Sequence, residues 1–486
     1  MKRTMKYIAA ACLSLATMSV AAQGFRSTYF LEGSTYRHEM NPSFMGERNY
    51  VAIPILGQFG VGVQSNVGVS SFLFKLNDPA SKYNLTTFLH PSVSASEFLG
   101  GLDEHNFLNM DFSLPIISFG FHKWGGFNTF GLNLRASAGV NLPYELFEFA
   151  KCGQIGGQTT TYNFKDLTVR ANAYAEVALG HARPVNDNLT VGGKLKFLVG
   201  GANANAYIKN AQIQMSDDKW LINFEGQADV AVNGAMWETK TVDVQVDGKT
   251  EQREKIDGFD FDGGGPNGFG LAIDLGATYK MDDFVEGLTL SASLTDLGFI
   301  RWNKNLVGQN DGRTKFEFDG FHNLKVMDGE HSTSSSKDID DQLDDLQDDL
   351  EAMAQFYDGG VNSRTSTLNA NLFVGAEYEM PFYRNLSVAF LMTSHFNKPF
   401  TWTEGRFYAN VAPAKWFDAS INYGVSKFGH ALGWVLNFHP KGFNFFIGSD
   451  HMITKVTPQF VPVNKLNANF NMGFNITFGN GPKKKA

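Results

Sequence analysis

Cysteine, charge and long apolar runs are all scarce in this chain of 486 residues. The two cysteines are Cys12 and Cys152, and Cys12 falls in a segment that we expect to be removed, so an internal disulfide is not expected to hold the fold. Beyond that segment no run approaches roughly 18 consecutive apolar residues, which excludes a protein that crosses a membrane as helices. Charged residues make up 19% of the sequence, below the usual quarter of a globular protein.

Motifs of catalysis and cofactor binding are missing as well. The histidines occur singly, and no cysteine or HxxxH spacing supports a metal site, so we expect no metal and no cofactor. No GxSxG motif is present, and we therefore expect no enzymatic activity. Residues 263–268 formally match GxGxxG, but Pro266 interrupts them and a strand is predicted to follow, which favours a flexible glycine loop.

Residues 1–22 have the pattern of a secretory signal peptide. A basic start with three lysines or arginines precedes an apolar run, and small residues at its end offer a cleavage site. Cys12 faintly resembles a lipoprotein site, but the apolar run continues past it. Removal of the segment would move the formal net charge from −8 to −11, which makes binding to nucleic acid through phosphate neutralisation improbable.

The predicted strand at residues 466–478 shows the clearest alternation in the chain. One set of alternate residues is apolar and ends in Phe478, whereas the other set is mostly asparagine. Successive side chains of a strand point to opposite faces, and a tilted strand needs roughly 9–11 residues to cross a bilayer. Apolar side chains facing lipid and asparagines facing a wet lumen explain both faces. The sequence therefore predicts an all-β fold, a transmembrane antiparallel β-barrel.

Alternating segments of this kind recur along the chain, and sixteen of them are the best count. Merging or splitting one hairpin would change the number to fourteen or eighteen. The segments lie at residues 50–66, 107–121, 127–141, 166–180, 189–200, 205–214, 220–232, 269–280, 288–297, 368–379, 386–394, 402–411, 417–426, 431–439, 443–450 and 466–478. All long connections fall at one end of these strands and short turns at the other, as in outer-membrane barrels. An even count predicts that both termini lie in the periplasm.

Six charged residues lie on strand faces that are otherwise polar and are expected to face inward. They are Arg135, Arg170, Glu176, Lys194, Lys196 and Asp274. A charge in hydrocarbon is costly, so these side chains should face the lumen. They could form a network of salt bridges and hydrogen bonds that rigidifies the wall, or they could set the charge preference of a solute pathway.

Residues 336–353, within a long predicted outer loop at residues 303–366, are expected to form a helix. Apolar residues repeat there at spacings of three and four, and aspartates occupy the remaining faces. A solvated helix that caps the barrel mouth is the simpler interpretation. The alternative is a lid that binds a cation or docks a protein partner, although carboxylates spread along a helix lack the compact cage that calcium needs.

Several motifs resemble a known family when they are taken in order. They are Asn41-Pro42-Ser43, the sequence ALGHAR at 178–183, LTVGGKLK at 189–196 and LTDLGF at 294–299. From about residue 25 to the C-terminus the chain resembles the Bacteroidetes-type outer-membrane barrels known as a domain of unknown function, DUF5723. The irregular start with Asn41 and Pro42 is more distantly similar to long-chain fatty-acid transporter (FadL) barrels and to secretion-linked barrels such as PorV.

The resemblance implies a barrel of fourteen strands whose N-terminal segment forms a plug, or hatch, inside the lumen. We expect a signal peptide at 1–22, the plug at 23–49 with Asn41 and Pro42 as its motif, the barrel at 50–479 and a basic periplasmic tail at 480–486. The tail extends past Phe478, whereas many outer-membrane barrels end on the aromatic residue.

The expected function is passive transport of a small solute, hydrophobic ones included, across the outer membrane of a Gram-negative cell. The expected partners are outer-membrane lipids, a small hydrophobic ligand and the barrel assembly machinery. The alternative is a structural or secretion-associated barrel that binds a protein through residues 303–366. A lipid-modifying barrel enzyme is less favoured, because it would need a cluster of Ser, His or Asp at the outer rim.

Overall fold

The computed structural model describes residues 24–75, 85–154, 156–246, 248–318, 355–396, 401–452 and 468–479. The predicted signal peptide, acidic helix and basic tail lie outside these residues. The described residues include two short α-helices, α1 at Ala95–Leu99 and α2 at Tyr144–Cys152, and 3-10 turns at Arg26–Thr28, Arg37–Glu39 and Val69–Ser71. Within the described part of the chain, no helix is long and apolar enough to cross a membrane.

Strands form most of the described structure. The first half of the chain contains β1 (Asn49–Ala52), β2 (Phe59–Ser65), β3 (Leu73–Lys75), β4 (Leu85–Thr87), β5 (His105–Lys123), β6 (Gly126–Pro143), β7 (Thr160–Pro184), β8 (Leu189–Met215), β9 (Trp220–Val232), β10 (Ala235–Val246) and β11 (Lys249–Phe261). The second half contains β12 (Gly268–Lys280), β13 (Leu288–Phe318), β14 (Tyr357–Thr367), β15 (Ala370–Glu379), β16 (Leu386–Phe396), β17 (Trp402–Ala414), β18 (Phe417–Ser426), β19 (Gly429–Phe438), β20 (Phe443–Ser449) and β21 (Ala468–Phe478).

Over the described residues, β3 and β4 form a separate two-stranded sheet, and the other nineteen strands form one sheet that closes into an antiparallel barrel of fourteen strands. Strands β1 and β2 act as one interrupted strand, because both pair with β5 on one side and with β21 on the other. The ring then continues through β5, β6, β7, β8, β12, β13 and β15 to β21 in order. Asn49 pairs with Phe478, so the barrel's first and last residues lie at the same end.

The best count of sixteen strands was wrong, whereas the lower count of fourteen is confirmed. The predicted strands at 189–200 and 205–214 are parts of one continuous strand, β8. Gly200 and Gly201, at which the predicted strand ends, lie within β8. The register of β8 against β7 shifts there, opposite Ala173 and Tyr174. Strands β12 and β9 lie end to end between β8 and β13. Strand β12 pairs with the first half of β13 and the first half of β8, and β9 pairs with the second half of each.

The outer face of the barrel is apolar and the inner face is polar, as the alternation predicts. In β8, Leu195 is 42% exposed, whereas Lys196 is 3% exposed. In β21 the corresponding values are 49% for Ile476 and 0% for Asn475. Only a surrounding of lipid makes such an arrangement favourable, since it leaves large apolar side chains outside and places charges and amides within.

At one end of the barrel, long strands extend well beyond the apolar belt, which is the band of apolar side chains on the outer face. Strands β7, β8 and β13 contain 25, 27 and 31 residues, far more than the roughly 9–11 that a membrane crossing needs. Strands β9 and β14 and the hairpin of β10 with β11 extend this upper wall. Helices α1 and α2 meet there through Phe98 and Phe147. Short turns such as Trp124-Gly125 join the strands at the opposite end.

The outward face of β8 gives a direct test of the lipid belt. Leu195→Arg should lower the free energy of unfolding by about 2–4 kcal/mol, because it places a charge on the face that contacts lipid. The neighbouring Lys194 and Lys196 are tolerated because they point to the inner face. Urea unfolding of the protein reconstituted in lipid vesicles measures this, with Leu195→Met as the matched control. Equal stability of the two variants would contradict the assignment of this face to lipid.

Candidate functional site

The N-terminal segment, residues 24–48, contacts inward-facing side chains on opposite sides of the ring. Tyr29 stacks on Phe373 of β15 with the ring centroids 5.9 Å apart. Tyr36 donates a hydrogen bond of 3.1 Å to Asn475 of β21, half a turn away around the barrel. Both tyrosines are buried. The segment therefore lies inside the ring of strands.

The Asn-Pro-Ser motif of this segment forms a compact turn against β12. The Oδ1 atom of Asn41 accepts hydrogen bonds from the backbone N–H of Ser43 at 3.0 Å and from its hydroxyl at 2.7 Å. The Ser43 hydroxyl oxygen also lies 2.6 Å from that of Thr278 in β12. An asparagine side chain that bonds two residues ahead fixes the direction of the turn.

Two glycines form the notch in the barrel wall that receives this turn. Gly192 of β8 and Gly276 of β12 are directly paired across the two strands. A Cβ atom on Gly192 would lie 2.1 Å from the carbonyl oxygen of Pro42, and one on Gly276 would lie 2.1 Å from Oδ1 of Asn41. Because only glycine leaves this space, both positions allow the close approach of the motif.

Four of the six predicted inward charges come together in one buried cluster. The Nζ atom of Lys196 lies 2.6 Å from Asp296, 2.9 Å from Asp274 and 3.8 Å from Glu176. Arg135 lies 3.5 Å from Glu176 on its other side. The cluster joins β6, β7, β8, β12 and β13, so one network of charges ties five neighbouring strands together.

The other two predicted charges lie outside this cluster. Lys194 donates a hydrogen bond of 3.0 Å to Nδ1 of His38 in the N-terminal segment, and Nε2 of that histidine lies 2.8 Å from the hydroxyl of Tyr50. Burial and the charge of Lys194 hold the pKa of His38 well below its usual value, so the ring is neutral. Arg170 lies higher in β7 and is half-buried.

Asp296 was missed from the sequence although it completes the charged cluster. Its φ of 59° and the shift of register between β12 and β13 break the alternation at this point. The alternation of side chains along the strand therefore could not assign Asp296 to the inner or the outer face. Its place in the LTDLGF motif was the one available signal.

A second ionic network holds the start of the N-terminal segment, and it was also missed. The guanidinium of Arg26 lies 3.4 Å from Glu404, 3.6 Å from Asp450 and 2.8 Å from Nε2 of His451. The backbone N–H and the hydroxyl of Ser27 each donate to Asp450 at 2.7 Å. Glu404 lies on the inward face of β17, and the face rule used for the other strands would have found it.

Comparison with known proteins gives a family match over most of the chain. A model described as a family of unknown function, DUF5723, matches residues 42–450. This is the family that the sequence motifs predict. No curated protein matches the chain.

Several solved structures of membrane barrels are similar at low sequence identity. The toluene transporter TbuX of Ralstonia pickettii has 10% identity and a TM-score of 0.39, with 94% of this chain and 99% of that chain covered. The toluene transporter TodX of P. putida has 8% identity and a TM-score of 0.33, with 90% of each chain covered. The translocator domain of the autotransporter NalP from Neisseria meningitidis has 7% identity and a TM-score of 0.31, covering 96% of this chain and 97% of that chain.

The glycine notch can be tested with adjacent residues of one strand. Gly192→Ala should displace the Asn-Pro-Ser turn, because the new methyl group would collide with backbone atoms of Pro42 and Ser43. Overpacking of this kind costs about 1–3 kcal/mol, so amide exchange at Met40 and Phe44 should accelerate roughly tenfold or more. Hydrogen-exchange mass spectrometry of the folded barrel measures it.

The matched control is Gly193→Ala, in which the added Cβ would meet nothing closer than 3.5 Å. This variant should leave exchange in the N-terminal segment unchanged. If the two variants behaved alike, the notch would not hold the segment.

The charged cluster predicts a large effect of removing its central cation. Lys196→Met should lower the free energy of unfolding by about 3–5 kcal/mol, because it leaves Glu176, Asp274 and Asp296 buried without their shared partner. Lys196→Arg keeps the charge and should cost less. Urea unfolding of both variants in the same vesicles compares them, and an equal loss would show that shape rather than charge matters here.

Proposed function

The chain belongs to the DUF5723 family of unknown function, and we propose that it is an outer-membrane barrel for passive transport of a small solute, hydrophobic ones included. Residues 24–48 act as a movable plug in this proposal. The apolar belt places the barrel in a membrane, and the predicted signal peptide directs the chain to export. Both termini would then lie in the periplasm.

The proposal rests on the kind of contacts that hold the N-terminal segment inside the ring. Over the described residues, none of positions 24–48 takes part in the ladder of the barrel. Side-chain hydrogen bonds, ion pairs and ring contacts hold it instead, for example from Ser27 to Asp450 and from Tyr36 to Asn475. Water can replace the neutral hydrogen bonds at a modest net cost, and it would have to hydrate the buried ion pairs of Arg26 as well, whereas opening the ladder would break the wall.

The Asn-Pro-Ser turn is the point at which the plug would be released or retained. It lies only a few residues before β1, so the chain beyond it cannot move far. The stretch from Phe25 to Met40 could move as a unit once the turn leaves the notch of Gly192 and Gly276. Asn41 and Pro42 therefore have the role of a latch in this proposal.

Docking of a protein through residues 303–366 stays a prediction, because most of that loop lies outside the described residues. Recognition by the barrel assembly machinery stays a prediction for the same reason, since the C-terminal tail is not described.

A reversible latch tests transport with the full chain. Ser43 and Thr278 place their hydroxyl oxygens 2.6 Å apart, so Ser43→Cys with Thr278→Cys should form a disulfide between plug and wall. Cys152→Ser removes the exposed free thiol from this background. Uptake of labelled arabinose and octanoate into proteoliposomes should fall to the rate of protein-free vesicles after oxidation and recover after reduction.

Each single-cysteine variant serves as a control and should show the same uptake under both conditions. Transport through a movable plug would be overturned by uptake that is equal in the oxidised and reduced double variant. It would also be overturned if the wild-type protein gave no uptake of either probe.

A further inference from the structure

Arg170 of β7 is an inward-facing arginine without an ionic partner among the described residues. It alternates with Val169, which is 41% exposed on the outer face. It shares the inner face with Glu176, roughly 20 Å farther toward the end with the long strands. Over the described part of the chain, no group forms an ion pair or a hydrogen bond with its guanidinium. The charged cluster around Lys196 therefore does not neutralise it.

The tip of this guanidinium is accessible from inside the barrel. The Nε atom is covered by neighbouring groups, whereas Nη1 and Nη2 are not, and the residue as a whole is half-buried. A guanidinium is a donor without any acceptor and keeps its charge at every pH at which a protein is folded. Arg170 therefore presents two donor nitrogens and a permanent positive charge to the lumen.

A second arginine reaches the same place from β14. Nη2 of Arg364 donates a hydrogen bond to Oδ1 of Asn203 in β8. Asn203 lies diagonally across from Arg170, because Asn205 of β8 is directly opposite that residue. Cβ atoms on such a diagonal are roughly 7–8 Å apart. The two positive charges are thus close enough to repel each other.

A single carboxylate offsets part of this charge. Asp229 of β9 lies 3.8 Å from Nη1 of Arg364. Its oxygens also accept hydrogen bonds from Asn305 at 2.9 Å and from Gln227 at 3.1 Å. The side chain of Arg364 is 23% exposed, so this guanidinium is accessible too. Two arginines against one aspartate leave one positive charge without compensation.

We propose that Arg170 and Arg364 together bind the carboxylate of a small organic anion inside the barrel. The planar fork of a guanidinium matches a carboxylate through two parallel hydrogen bonds. One negative charge neutralises the two arginines and their aspartate, whereas a phosphate group, with about −1.5 to −2 charges, would leave an excess. A neutral or cationic solute would not relieve the repulsion between the arginines.

The positive pair differs in sign from the molecule as a whole. The chain is acidic, with a formal net charge of −8. Charges that line a lumen attract ions of the opposite sign and repel those of the same sign. The pair would therefore favour anions among the solutes that enter. The inference rests on the proposed transport function in that it names a class of solute, but binding at the pair does not require flux.

Binding can be measured by equilibrium dialysis of the purified barrel in a nonionic detergent. The probes are radiolabelled benzoate, its neutral counterpart benzyl alcohol, and inorganic phosphate. Benzoate should bind at one site per barrel. Benzyl alcohol should be retained no more than by empty micelles, and phosphate should bind more weakly than benzoate. This comparison uses the wild-type protein and needs no variant.

Arg170→Gln should weaken benzoate binding about tenfold or more, because a charge-assisted hydrogen bond is lost. Arg170→Lys keeps the charge without the fork and should lie between this variant and the wild type. The matched control is Lys165→Gln in the same strand, which removes one positive charge at an exposed position and should leave benzoate binding unchanged. Because Arg170 has no ionic partner in the described wall, its replacement should not impair folding.

The proposal is overturned if the wild-type barrel does not bind benzoate, or if benzyl alcohol or phosphate binds as tightly. Equal weakening by Arg170→Gln and Lys165→Gln would overturn it too, because net charge alone would then be responsible. Failure of this site and failure of transport are distinguishable. Benzoate binding without uptake in the latch experiment leaves the site and removes transport, and uptake without benzoate binding does the reverse.

Discussion

The barrel depends on one constraint, which is that lipid outside offers no partner to a polar group. Every amide, hydroxyl and charge that the strands turn inward must be satisfied by the lumen itself. The inner face is rich in such groups, and asparagines such as Asn437 and Asn475 are fully buried. The N-terminal segment contacts some of these groups, as Tyr36 does with Asn475.

Ionic and hydrogen-bonded networks meet part of this demand at two places, around Lys196 and around Arg26. Lys196 binds Asp296, whose other carboxylate oxygen accepts a hydrogen bond from Asn371 at 3.4 Å. Asn371 in turn contacts His395. A continuous path of polar contacts thus runs from the charged cluster to His395, and these contacts orient its ring.

Close approach of other groups to the strand backbone is the second requirement, and glycine meets it. Gly192 and Gly276 admit the Asn-Pro-Ser turn on the inner face, while Gly200 makes room for Trp302 higher in the same strand β8. The sequence gives no sign of this role, and the predicted strand at 189–200 simply ended at Gly200. The reason for each of these glycines is a neighbour that is remote in sequence, and no local pattern records it.

The sequence by itself determined the class of fold, the family and the faces of the strands, because alternation with a period of two is a local property that lipid outside and water inside impose on every strand. It also predicts that Arg135, Arg170, Glu176, Lys194, Lys196 and Asp274 face inward. Only the tertiary structure decided the ring of fourteen strands, the partners of these charges, and the contacts of Asp296 and Glu404. Those features depend on bulges, on strands stacked end to end and on contacts across the lumen, which join residues hundreds of positions apart.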